Sequence, residues 1–216
     1  MSSVSRGVRS LLFLAFAPWG TVSLVAQSAP PVELMDRQEE IRLALSAGPP
    51  SLHAGAAVSV FTAEGYRLAR RGSNGFHCFV ERTADPQVRA PQCVDAIGSE
   101  YVLPVKFEEA RLRLAGRDEE EIEREIDAGF ASGRFRPVPA PAFSYMLSGG
   151  QYLGRNVGRW NPHVMVYTPY RTNEEIGGLP GTPQYPFIAF DEGKPLALTV
   201  IVTTEFVDPA SVELGG

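Results

Sequence analysis

Two rhythms of apolar spacing run along the chain, and the switches between them mark its elements. Leu34, Ile41 and Leu45 recur at i, i+7 and i+11, which predicts a helix over about 33–46 that Gly48-Pro49-Pro50 stops. From 56 to 62, Val58 and Val60 alternate with Ser59, and a second strand at 66–70 follows the short loop Ala63-Glu64-Gly65. Asn74-Gly75 offers a turn with positive φ before a third strand at 76–81, so an antiparallel meander is expected. Short strands at 94–96 and 101–103 then flank Gly98.

The helical rhythm returns with Phe107, Ala110 and Leu114 on one face, ended by Gly116. Asp118 with Glu121 three residues on has capping-box spacing, and Ile122, Ile126 and Phe130 form the apolar stripe of the helix it starts. A proline-rich crossing segment follows at 134–141, and then strands at 143–147, 163–168, 187–190 and 196–203. The pattern predicts an α+β fold: a mainly antiparallel sheet of six or seven strands with three helices packed on one face. No stretch is polar and long enough to be a linker, so 29–216 reads as a single α+β domain.

Residues 1–28 stand apart from that fold. Arg6 and Arg9 precede the apolar run 11–17, and Ala26-Gln27-Ser28 places small residues for cleavage after Ser28, or after Ala26. The apolar stretch is short of the ~20 residues a membrane span needs. It reads as a signal peptide, which leaves no stable membrane span after cleavage and predicts a periplasmic or secreted protein. In an oxidising compartment the lone pair Cys78 and Cys93 is expected to form a disulfide. Closing a loop of this size stabilises by about 3 kcal/mol in the chain-entropy model. Two cysteines without a second Cys or His pair do not make a structural zinc site.

Composition narrows the function classes. A chain that is 44% hydrophobic and 21% charged is not disordered, collagenous or a coiled coil. A net charge of −5 argues against nucleic acid as a partner. Of the 20 basic residues only two are lysines, a bias that points to a GC-rich genome more than to a function.

None of the strong catalytic signatures (GxSxG, P-loop, HExxH, GxGxxG, CxxC) is present, and no cofactor is expected. The informative region is 148–186, where two long irregular segments flank the strand at 163–168. They gather Tyr152, Arg155, Trp160, Tyr170, Arg171 and Asn173, aromatic faces and arginine forks suited to an anionic, glycan-like or envelope ligand. In the competing reading the aromatics cover the sheet edge while the arginines lie over them. A shared site requires the loops to fold back over the sheet, because a five- or six-residue strand separates its two ends by about 17–20 Å.

Two alternatives involve the strand itself. Ser148, His163 and Asp191 form a hydrolase triad on paper, with Gly149-Gly150 offering an oxyanion hole. His163 and Met165 share one strand face, and with Met146 on the preceding strand they form a soft-ligand set for copper, although methionine is also a routine core filler. The leading expectation is a non-catalytic binding protein that works through the 148–186 loops.

Overall fold

The computed structural model describes residues 33–214, so the signal peptide expected at 1–28 lies outside the described residues. Asp36 accepts the backbone N–H groups of Gln38 and Glu39 and starts α1 (Arg37–Leu45), which is followed by the single turn α2 (Pro50–His53). β1 (Ala57–Thr62) and β2 (Gly65–Arg70) form the expected hairpin.

The meander does not continue. β3 (His77–Glu81) lies on the other side of β1 and runs parallel to it, with Ala57 opposite His77 and Val58 opposite Cys78. Only Gly75 has positive φ, whereas a tight hairpin of the type Asn-Gly favours needs it at both positions. Asn74 instead accepts the Phe76 N–H and donates to the Leu52 carbonyl, so residues 71–76 cross the start of β1. Gly72 permits the crossing, because a Cβ there would lie 2.3 Å from the Ala57 nitrogen.

The next expected strands, at 94–96 and 101–103, are replaced by one strand and a helix: β4 (Ala90–Val94) and α3 (Ala96–Tyr101). Asp95 explains the switch. Its carboxylate accepts the Gly98 N–H at 2.8 Å, which caps a helix where the apolar pattern alone suggested strand. α4 (Leu103–Leu114) and α5 (Glu119–Ala131) follow, the second opened by the anticipated Asp118–Glu121 capping box. Then come β5 (Ala142–Met146), β6 (His163–Tyr167), the short α6 (Asn173–Ile176), β7 (Phe187–Phe190) and β8 (Leu198–Val202).

The α+β class holds, with eight strands in one sheet ordered β2-β1-β3-β4-β5-β6-β8-β7 and six helices among the described residues. Pairings are antiparallel except β1 with β3. The expected packing on one face needs correction. α1 covers Val58, Val60, Cys78, Val80 and Cys93, whereas α4 packs Leu103 and Phe107 against Phe79 and Val94 on the opposite face. The continuous apolar run Cys78-Phe79-Val80 is the physical reason on β3, since strands buried on both faces lose their polar alternation, and on β1 the polar Ser59 is buried as well.

The largest core lies on the α4 face, where Val105, Leu112, Ile122 and Ile126 meet Met146, Met165, Tyr167, Leu198 and Val200. On the α1 face the disulfide joins Cys78 and Cys93, directly paired in register and fully buried. No described helix is long and apolar enough to cross a membrane.

Candidate functional site

Strand alternation puts Ala90, Gln92, Met146, His163, Met165, Tyr167, Leu198 and Val200 on the α4 face of the sheet. These side chains form one wall of a cavity of about 540 Å³. Leu153, Val157 and Trp160, from the segment between β5 and β6, form another, and Phe187 with Ala189 complete it from β7. Lys106 of α4, Glu81 of β3 and Asp191 at the end of β7 gather its charge.

That charge belongs to a chain of contacts running from the sheet into the helices. Ser144 donates to the Gln92 side-chain oxygen at 3.2 Å, and Gln92 donates through Nε2 to the Glu81 carboxylate. Lys106 Nζ lies 3.0 Å from Glu81 and 3.4 Å from Glu109. Burial alone would lower the Lys106 pKa, but Glu109 and Glu81 offset this and hold the ammonium well above its ordinary value. Glu109 is pushed up by burial, against the pull of Lys106. Burial also raises the Tyr167 phenol.

Among the described residues, Asp191 is one of two non-glycine residues with positive φ, at 55°. Burial raises its carboxyl, with Lys106 and Lys194 opposing. Neither lysine bridges it: Lys106 is held by Glu81 and Glu109, and Lys194 by Glu123. Beyond this charged row a second cavity of about 460 Å³ is lined by Glu123, Asp127 and Lys194. Both lysines of the chain therefore lie on its wall, and Lys106 borders both cavities.

His163 sits 4% exposed in the wall of the larger cavity. Its Nδ1–H donates to the Asn161 carbonyl at 2.7 Å, a tautomer set by that acceptor, which leaves Nε2 as a bare lone pair. Burial lowers the ring's pKa and keeps it neutral. The Trp160 ring stands edge-on to it, 4.9 Å between centroids.

Of the six residues expected to bind ligand, Trp160 alone lines this cavity. Tyr152 is tied to Arg89 by two backbone hydrogen bonds of 2.7 and 2.8 Å. Arg155 is exposed. Tyr170 and Arg171 are exposed beyond the other end of β6, where Arg171 faces Glu175 at 3.7 Å. The fold-back that a shared site required therefore does not bring them to Trp160. Asn173 is buried for a structural reason: it accepts the Ile188 N–H at 2.8 Å and donates to the Ile188 carbonyl at 3.0 Å. Its amide thus satisfies both backbone groups on the open side of the edge strand β7.

The Ser148, His163, Asp191 triad is not assembled. Ser148 is fully buried and shares a 2.7 Å hydrogen bond with Ser46, while the His163 Nδ1 is committed to Asn161. Asp191 and His163 line one cavity without a hydrogen bond between them. The copper set fares differently: Met146 is the register partner of His163, Met165 lies two residues along β6, and all three line the cavity. No described group of three or more His, Cys, Asp or Glu side chains is placed to hold a metal.

The sequence reading missed Glu81, Gln92 and Lys106. Gln92 stands beside Cys93, but the sequence pattern predicts no strand at 90–93, so its place on the sheet face is not legible there. Comparison with protein-family models, with curated proteins and with solved structures finds no match.

Proposed function

We propose that this protein is an exported, non-catalytic binding domain that takes a small ligand into the larger cavity. The observation that carries this reading is the cavity's build. About 540 Å³ of space is walled mainly by apolar side chains, with its charged and amide groups gathered around Glu81, Gln92, Lys106 and Asp191. Small-molecule sites have this size and this mixture, whereas ordinary interiors are close-packed. The ligand has an apolar body that lies over Met165, Phe187 and Val200, and an end that donates hydrogen bonds. Glu81 and Asp191 outnumber Lys106 at that end, which disfavours the anionic ligand suggested by the loop arginines.

The 148–162 segment supplies Leu153, Val157 and Trp160 to the wall of this cavity. The buried disulfide supports export to the periplasm or beyond. With the signal peptide removed, Trp160 is the sole tryptophan, so its fluorescence reports the cavity directly. Titration with decan-1-ol and decylamine should give saturable single-site curves, and Val200→Phe, which fills the space, should weaken both by about tenfold or more. Curves that do not saturate, or that Val200→Phe leaves unchanged, would refute the reading.

A further inference from the structure

We propose that His163, Met146 and Met165 form a binding site for a single Cu(I) ion on the wall of the larger cavity. The proposal is independent of the organic ligand proposed above, because it rests on one sheet face and not on the cavity's volume. Met146 and His163 are directly opposite in the β5–β6 register. Opposed side chains on one face of an antiparallel pair have Cβ atoms about 4.5–5.5 Å apart. Met165 lies two residues along the same strand and points to the same side, about 7 Å away. Three flexible or rotatable side chains at such spacing can converge on one ion above the sheet.

The imidazole is prepared for this. His163 is 4% exposed, Nδ1–H is fixed on the Asn161 carbonyl, and Nε2 has no protein hydrogen-bond partner among the described residues. A ring nitrogen held by a backbone carbonyl on its far side is the usual arrangement behind a metal-bound histidine. That nitrogen is not sealed in the packed interior but opens on the cavity, where an incoming ion can reach it.

The donor set selects the metal. Two thioethers with one neutral imidazole are soft ligands without charge, which suits Cu(I) and offers little to Mg²⁺, Ca²⁺ or Zn²⁺. A monovalent ion also costs less to bring into an apolar cavity than a divalent one. Asp191, on the same cavity, is available as a counter-charge. Binding involves no electron transfer; the ion enters and leaves as Cu(I).

The test uses the mature chain with its disulfide intact and Trp160 as its sole tryptophan, Cu(I) maintained by ascorbate, and bathocuproine disulfonate as the competing chelator. One Cu(I) per chain should be retained, Trp160 fluorescence should fall, and X-ray absorption should find sulfur in the first coordination shell. Met146→Leu and Met165→Leu conserve volume and should keep the fold, which the thermal midpoint checks. Each should weaken binding by about tenfold or more, whereas Met35→Leu, on the α1 side, should leave it unchanged. Absence of retained Cu(I), a copper shell without sulfur, or an unaltered affinity in the double leucine variant would overturn the site.

Discussion

At the scale of single residues, burial decides what a polar group does here. His163 and His77 are both held neutral by burial, below the ordinary histidine pKa. The unfolded chain therefore takes up these protons first, near pH 6.5. Their stabilisation is present above that value and is lost as the pH falls through it. Urea unfolding across pH 7.5 to 5.5 should show stability declining, less steeply in His163→Gln than in the parent. Identical slopes would show that His163 does not contribute. Glu109 and Asp191, raised by burial, act with the opposite sign and are shared by both proteins in that comparison. Asn173 is the other residue whose role changed once its surroundings were known. Asn173→Ala would leave the buried Ile188 N–H and carbonyl without partners, and should cost about 1–3 kcal/mol in chemical denaturation. A loss well below that range would mean that water replaces the amide readily.

At the scale of elements, local capping chemistry was legible and long-range pairing was not. Asp118 and Glu121 announce α5, and both halves of their reciprocal cap are formed. Asp118→Ala should destabilise by about 0.5–2 kcal/mol. Glu119 is a poor control, because it makes a two-pronged pair with Arg113 at 2.7 and 2.8 Å. Glu120 is a better one: it is exposed and paired only along its own helix, so Glu120→Ala should cost no more than a few tenths of a kcal/mol by thermal melting. Equal losses at 118 and 120 would contradict the cap. The crossing at 71–76 left no comparable signal, since Asn-Gly fits a hairpin and an open turn alike. What sets β3 beside β1 is the close approach over Gly72 and the capture of the Ala57 N–H by Phe76, contacts between segments far apart in the pattern. The candidate site divides in the same way. His163, Met146 and Met165 were readable because strand alternation is a local rule, and Trp160 because it stood beside that strand. Glu81, Gln92 and Lys106 come from three different elements, and only tertiary packing brings them together.

At the scale of the whole molecule, the sheet separates two kinds of interior. The α1 side is sealed around the disulfide, and the α4 side opens into the cavities. Cys78→Ala with Cys93→Ala should lower stability by about 2–5 kcal/mol in denaturant. Because the disulfide is fully buried, mild reductant should leave the native protein unalkylated until it unfolds. Rapid labelling of the folded chain would argue against that seal. The placement of the two lysines has a practical consequence. Lys194 is 39% exposed and Lys106 19%, and both stand on one cavity wall. Reagents that attack primary amines, whether dyes, cross-linkers or activated sensor surfaces, will thus favour Lys194 on that wall and the chain's amino terminus, because Lys106 is held as an ammonium between Glu81 and Glu109. A sensor chip prepared by amine coupling would hold many molecules with their binding side against the matrix, and would under-report affinity. Attachment through a carboxy-terminal tag would avoid this, and protection of Lys194 from acylation could in turn serve as a footprint for whatever occupies the neighbouring cavity.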